Sequence, residues 1–387
     1  MNKYNIKKLA YFALMMAFLV TAIITTSIGV ITNELINSGL YSVVALGYVI
    51  SARSFGYLLG AFASIKAFRK ISYLRIVPFY FLIIALLMTA MFYQNNLLVL
   101  IIVFMIFGIL KNLITVGGNQ ISAYFYKMDI QKSLMNNLQF IYGIGTFFSP
   151  LCIGYILTTS NMNAVIVFFI SISLGISLFF ICQKNTKSIQ ISSEETTTDS
   201  NKKVIVLINF FFAIYAGFEI FIGTWGNFVM TTKLQNQDFI YWGNALFWLA
   251  LAFSKIVLNK FKAVTNNQNY IVVASIFLTM IFTIVYMKTT GDVIILLVMF
   301  FLGACMGNIV PSTIKYLSIT NKVNSGETAW CFVGAGIGGV FFSKIYSNIF
   351  EIGISYSFLV AFAQLVVLII IFMFLSKGTF LQSKKQH

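Results

Sequence analysis

Charge is what this 387-residue chain has least of: only 9% of its residues are charged, against 59% apolar, and mean hydropathy is +0.90. A soluble domain carries about 25% charged residues to cover its surface, so a water-soluble globular fold is excluded and lipid must be the solvent. There is one histidine, His387, at the very end of the sequence, which leaves no His-based metal site and no Ser-His relay. The four cysteines, Cys152, Cys182, Cys305 and Cys331, fall singly in different apolar runs with no C-x-x-C pair. They read as small buried hydrophobes rather than disulfides or metal ligands. No G-x-x-x-x-G-K phosphate loop, metal-ligand cluster or intramembrane aspartate pair is present, so no enzyme, no catalytic residue, no metal and no cofactor is expected.

What the chain does have is long apolar runs. A helix needs about 20 apolar residues to cross the hydrocarbon core, and twelve runs qualify: about 9–32, 41–65, 76–93, 97–126, 134–157, 164–182, 204–230, 239–258, 270–287, 293–318, 327–349 and 356–375. None alternates as a β-barrel strand would, so helices are expected throughout. Lys3, Lys7 and Lys8 precede the first run, which continues to about Thr32 without an A-x-A-like cleavage site; a span is expected there rather than a signal peptide.

The net charge of +16 points to nucleic acid only until its position is noted. With the N-terminus in the cytoplasm, the inner segments hold nineteen basic residues and the outer loops only two, Lys233 and Lys288. That asymmetry puts both termini on the cytoplasmic side of a cell membrane and removes nucleic acid from the partners.

The longest break, 183–203, is polar and Ser/Thr-rich. It divides the chain into six-helix bundles at 1–182 and 204–387, the second with a short cytoplasmic tail, and reads as a flexible cytoplasmic tether. The halves echo each other. Gly143-Ile144-Gly145-Thr146-Phe147-Phe148-Ser149 resembles Gly336-Ile337-Gly338-Gly339-Val340-Phe341-Phe342-Ser343 at an offset of 193 (336 − 143), and Phe55 to Lys70 lies over Phe247 to Lys262 in similar register. Duplicated halves are the layout of a carrier that rocks about a midplane site.

Several stretches carry a family likeness. Gly117-Gly118-Asn119 is followed by Asn136-Asn137-Leu138-Gln139-Phe140, Tyr142-Gly143-Ile144-Gly145 and Ser149-Pro150. The seventh run has Tyr215-x-Gly217-x-Glu219 and Gly223-Thr224-Trp225; the eighth has Phe247-Trp248-Leu249-Ala250-Leu251 ending at Lys255; the tenth has Gly303, Gly307 and Pro311-Ser312-Thr313. Over essentially its whole length the chain resembles the major facilitator superfamily, and these stretches resemble its fucose permease and sodium-dependent glucose transporter branch. The resemblance implies an all-α membrane fold of twelve transmembrane helices in two pseudo-symmetric bundles. It also implies spans 1, 4, 7 and 10 around a cavity, with span 2 beside them. Two departures stand out. The loop after span 2 usually reads G-x-x-x-D-R-x-G-R-R in the family, but here it is Gly60 followed by Ser64, Ala67, Arg69 and Lys70, without the aspartate. Gly145-x-x-x-Ser149-Pro150-x-x-x-Gly154 resembles a span-5 motif of efflux antiporters.

An ionisable side chain at mid-bilayer costs roughly 2.5–3.5 kcal/mol on insertion scales, so each needs a reason. Arg53, Lys111 and Glu219 sit near the centres of spans 2, 4 and 7. Glu219 is expected to pair with Lys111 or Arg53, or to take up a proton; a static ion pair locking helices is the alternative. Lys111, Thr115 and Asn119 recur four residues apart on one helix face, with Asn112 beside them, and either line the path or glue helices. Tyr215, Asn308 and Gln139 are candidates of the same kind, as are Thr21, Thr25 and Asn227. Trp225 is read as a stacking platform for a sugar ring or as an interface anchor. Arg69, Lys70 and Glu327 are the gate candidates; Glu327 also suits a helix N-terminus. Lys344 finds no place. The expected function is secondary active transport of a small polar, sugar-like solute by a monomer, coupled to a proton or sodium ion. Export of an amphipathic or toxic compound, and a transporter-like sensor, remain the alternatives.

Overall fold

A computed structural model of the protein describes residues 3–70, 73–93, 95–127, 134–182, 202–237, 239–260, 268–320 and 325–383. Among these, regular structure is helical throughout. The helices are α1 (Lys3–Asn37), α2 (Val43–Lys70), α3 (Tyr73–Ala90, extended by a 3-10 turn Met91–Tyr93), α4 (Leu97–Lys127), α5 (Leu134–Thr159), α6 (Met162–Cys182) and α7 (Lys202–Gly223). They continue with α8 (Gly226–Lys233), α9 (Phe239–Lys260), α10 (Gln268–Lys288), α11 (Asp292–Met306), α12 (Ile309–Thr320), α13 (Ser325–Ile352) and α14 (Ile354–Ser383). Each of the twelve apolar runs is occupied by helix. Ten stretches among the described residues are long and apolar enough to cross a membrane, and Phe239–Ser254 is a shorter apolar helix. Large apolar side chains such as Phe79, Leu86, Leu98, Phe210 and Phe374 are more than half exposed on these helices. Water would penalise that surface, whereas acyl chains accept it.

Two runs are interrupted. The seventh breaks between α7 and α8, where the Thr224 and Trp225 N–H groups both donate to the Ile220 carbonyl, each at 3.0 Å. The tenth breaks between α11 and α12 at Gly307 and Asn308. Glycines and an asparagine at these points lower the helix propensity of otherwise apolar runs.

The chain forms two compact units, one of Met1–Ile31 with Ala52–Glu194 and the other of Thr32–Ser51 with Glu195–His387. In unit one α3 packs along α6, tied by the Ser177 hydroxyl donating to the Pro78 carbonyl at 2.9 Å. In unit two α13 packs along α7 and α11 along α9. Its core is an aromatic stack: Phe221 lies 4.8 Å from Tyr346 and 5.3 Å from Phe358, Phe350 lies 5.4 Å from Trp225, and Tyr286 lies 5.1 Å from Phe358. Buried Tyr346 donates its hydroxyl to Gln364.

The internal repeat has a packing cause. A Cβ on Gly145 would meet the Leu19 carbonyl at 2.7 Å, so α5 closes on α1; a Cβ on Gly338, 193 residues on (338 − 145), would meet the Ala213 carbonyl at 2.0 Å, so α13 closes on α7. Likewise Gly108 of α4 seats on the Arg53 carbonyl of α2 (2.1 Å to its would-be Cβ), and Gly303 of α11 on the Phe247 carbonyl of α9 (2.1 Å). The same helix pairs approach through the same small residue in both halves, as lipid-embedded helices require. The motif resembling efflux antiporters thus has a structural role in this chain: Gly145 admits α1, and Ser149 donates to the Ile23 carbonyl at 2.6 Å.

Lys233, one of the two basic residues in the loops expected outside, caps a helix end. Its ammonium donates to the Met287 and Thr289 carbonyls at 3.1 and 3.0 Å, over the rings of Tyr286 and Phe358. Burial pushes its pKa down. Asp292 complements it, its two carboxylate oxygens accepting the backbone N–H groups of Gln235 and Asn236 at 2.9 and 3.0 Å. Losing a hydrogen-bonded charge that caps carbonyls typically costs about 1–3 kcal/mol. Lys233→Met is therefore expected to lower the thermal midpoint in detergent by several degrees, and Lys233→Arg by less. An unchanged midpoint for Lys233→Met would show the clasp to be idle.

Candidate functional site

The candidate residues fall on both units, and each group is built locally. In unit one, Gly108 lets α4 lie against α2, and this apposition brings Lys111 over Tyr57, its ammonium 4.9 Å from the ring centroid. Tyr57 is one turn from Arg53 on α2, whose backbone carbonyl lies at the same helix contact. Lys111, Thr115 and Asn119 are all half-buried along α4. Asn112 sits apart from them. It is fully buried at the α2 contact, where a Cβ on Gly60 would come within 2.8 Å of its Cβ, and neither amide atom has a partner among the described residues. The Thr115 hydroxyl donates back to the Lys111 and Asn112 carbonyls (3.0 and 3.1 Å), leaving only its lone pairs for a ligand. The Asn119 carbonyl oxygen is buried without a partner. Gln139 on α5 is exposed. The side chains of Asn136, Arg69, Lys70, Lys255 and Glu327 lie outside the described residues, as does the tether at 183–201.

In unit two the site is organised by the two helix breaks. Tyr215, Glu219 and Gly223 follow one another at four-residue spacing up one face of α7. Tyr215 is buried and donates its hydroxyl to the Met306 carbonyl at 3.3 Å, the last residue of α11 before the second break. Glu219 is half-buried one turn from Tyr215. Above it the helix ends at Gly223 and restarts at Gly226 without a side-chain cap. Fully buried Asn227 and Asn244 meet there: the Asn244 amide donates to the Asn227 side-chain oxygen at 3.0 Å and to the Gly223 carbonyl at 3.4 Å. Trp248, one turn beyond Asn244 on α9, presses its ring to within 2.6 Å of where a Cβ on Gly223 would stand. Asn308 donates to the Ala304 carbonyl at 3.3 Å and keeps its own oxygen buried and unpartnered.

Around the first break the Asn227 amide nitrogen, the Asn244 side-chain oxygen and the Trp225 and Trp248 indole N–H groups have no hydrogen-bond partner among the described residues. Each buried polar group left so costs about 1–3 kcal/mol. Such a cluster in a membrane interior is tolerable where water or a solute reaches it at some stage. Trp225 is neither an open stacking platform nor an interface anchor in this conformation: it is 0% exposed and packs edge-on against Phe350 and Phe228. Asn244 and Trp248 are additions the sequence reading did not single out as ligands; Trp248 sat inside a quoted stretch, and Asn244 had only its polarity in an apolar run as a signal. Tyr57 was hidden because a tyrosine in a span is unremarkable until a lysine lies over it.

Comparison with solved structures gives the same fold over nearly the whole chain. A nucleoside transporter, NupG, is 13% identical with a TM-score of 0.75, covering 95% of this chain and 99% of its own. A variant of the same protein gives a TM-score of 0.74 at the same identity and coverage. The POT family transporter PepTSo is 10% identical with a TM-score of 0.74, covering 96% of this chain and 98% of its own. At these identities the likeness is one of fold. No curated protein matches the sequence. A sequence profile described as Major Facilitator Superfamily matches residues 10–321, more than half of the chain. With its multi-pass apolar helices and duplicated packing, the chain belongs to the Major Facilitator Superfamily.

Proposed function

We propose that the protein is a monomeric carrier that takes up a small hydroxyl-bearing solute of sugar or nucleoside type by alternating access, coupled to a proton through Glu219. The observation that carries this reading is the interrupted seventh span, where Glu219 stands one turn below a buried and incompletely bonded set of neutral polar groups. A hydroxyl suits that set. It can accept from the Asn227 amide and the Trp248 indole and donate to the Asn244 oxygen, giving three of the four orphaned groups a complement. The resemblance to the fucose permease branch favours a sugar; a nucleoside, the solute in NupG's name, offers ribose hydroxyls of the same kind. The basic-residue asymmetry supports both termini on the cytoplasmic side of a cell membrane.

Export is the second reading, favoured by one feature. Lys111, half-buried on α4 with its ammonium over Tyr57, places a cation within a span, and a cation there suits an anionic solute. Accumulation assays in proteoliposomes separate the readings. With labelled monosaccharides and nucleosides and a pH gradient acid on the outer face, uphill accumulation of at least one hydroxyl-rich solute is expected. Accumulation only under the reversed gradient would establish export. Saturable binding with no accumulation in either direction would establish a sensor and end the carrier reading.

A further inference from the structure

Lys233 and Lys288 are the two basic residues of the loops expected outside, and the fold brings them to one place. The Lys233 ammonium holds the Met287 and Thr289 carbonyls, the residues on either side of Lys288 at the end of α10. Lys288 itself is exposed. An ammonium has three N–H donors. The two carbonyls take two of those on Lys233, which leaves one over among the described residues. Burial has also removed part of its water, a loss that an anion would offset. Neighbouring Asp292 turns its carboxylate oxygens to the Gln235 and Asn236 N–H groups instead, so both ammonium groups are left to another anion.

Beside these cations α10 and α14 leave a groove of about 170 Å³. Thr283, Ile284 and Met287 of α10 line one side, and Phe358, Leu359 and Phe362 of α14 line the other. Both sets have the spacing i, i+1 and i+4, so each is one helix face. The groove exists because Thr283 is short. Its hydroxyl is spent on the Thr279 carbonyl at 2.7 Å, and what remains is too small to fill the space between the helices. Buried Thr283 and Phe358 form the floor, whereas Ile284 and Leu359 are about half exposed, so the groove opens toward lipid. An apolar cavity of about 150 Å³ holds a benzene-sized hydrocarbon, and this one takes a length of acyl chain. Two residues join the groove to the cations. Met287 lines it and gives its carbonyl to Lys233, and Phe358 carries the same ammonium 5.6 Å from its ring centroid. Cations at the mouth of an apolar slot complement both parts of an anionic lipid, the headgroup and the chain.

We propose that this groove is a site for an anionic phospholipid, with an acyl chain between α10 and α14 and the phosphate held by Lys233 and Lys288. The site lies within unit two and uses neither Glu219 nor the interrupted spans, so it stands whatever solute is carried. Phosphatidylcholine vesicles holding the full-length protein, with a trace of a photoactivatable lipid whose diazirine lies near the ester end of one chain, test it. The probe is phosphatidylglycerol in one arm and phosphatidylcholine, with the same chains and a neutral headgroup, in the other. Adducts at 283–287 and 358–362, mapped by mass spectrometry, should favour phosphatidylglycerol by at least roughly fivefold, the share of one basic residue near a lipid surface. Adducts at 79–86 of α3, where Phe79 and Leu86 face lipid, should show no such preference. Lys288→Gln should cut the preference several-fold, and Leu359→Trp, which fills the groove from its open side, should cut the adduct yield there with either probe. The yield at 79–86 should hold in both variants, which separates loss of the site from loss of the fold; a fall at both places counts against the site. Equal yields of the two probes at the groove, or a preference indifferent to Lys288→Gln, would mean ordinary solvation by lipid and overturn the proposal. Loss on Leu359→Trp without any headgroup preference would show a groove for hydrocarbon alone and overturn it as well.

Discussion

Replacing Glu219 with glutamine is expected to abolish uphill accumulation while leaving solute exchange nearly intact. Glutamine keeps the shape and hydrogen-bonding reach of the side chain but can neither lose nor gain a proton near neutral pH. With an imposed pH difference of about one unit, one proton per solute sustains a concentration ratio of about tenfold, since a factor of ten is 1.4 kcal/mol. The variant should hold that ratio near one. Exchange of labelled for unlabelled solute needs no net proton movement, so its rate should fall little. Measuring both in the same proteoliposomes separates a coupling residue from a structural one. If Glu219 only locked helices together, the glutamine variant would lose thermal stability and keep its gradient-driven accumulation. The position supports coupling: the carboxyl is half-buried on α7 one turn from Tyr215, and Tyr215 is bonded to the last residue before the second helix break. A change of charge there has a path to both interrupted spans.

Trp225→Ala is expected to damage the fold rather than the affinity. Truncating a fully buried tryptophan typically costs about 3–5 kcal/mol. Trp225 is such a side chain, set edge-on against Phe350 at 5.4 Å within the aromatic core of unit two. A thermal melt of the detergent-solubilised variant should shift by ten degrees or more, on the order expected for a loss of that size in one compact unit. Trp225→Phe should recover most of the loss. A solute-stacking role predicts the opposite pattern, with an unchanged melt and a raised KM for Trp225→Ala.

The helices were legible in the sequence because lipid makes a severe demand: long apolar runs must be helical, and each of the twelve runs is filled by helix. The duplication was legible too, since Gly145 and Gly338 hold equivalent helix contacts and a backbone approach of that kind tolerates little else. What composition hid were the breaks after Gly223 and Met306, because each falls inside a long run that is apolar on average and the interruption depends on local carbonyl bonding and on α9 packing against Gly303 and Gly307. Side-chain direction was harder still. Asn112 sits next to Lys111 in sequence yet turns into the α2 contact, since adjacent helical positions point about 100° apart. Trp225 looked like a ligand platform because an aromatic beside a polar helix break has two uses, and only its neighbours Phe228 and Phe350 show which one the fold has taken. Lys344 gave no sign of its partner, since Tyr48 lies almost three hundred positions earlier (344 − 48 = 296).

A carrier has a binding site that is open to one face of the membrane at a time, and counterflow tests that most directly. Purified wild-type protein is reconstituted in vesicles loaded with a high concentration of an unlabelled solute identified by the accumulation screen, then diluted into a trace of the same solute carrying a label. A carrier brings the label in faster than it can leave while unlabelled solute competes for the outward passage, so the internal label should rise above the external level and then decay. A monotonic approach to equal concentrations, with no overshoot at any loading, would mean an open pore or a leak and would contradict the carrier reading.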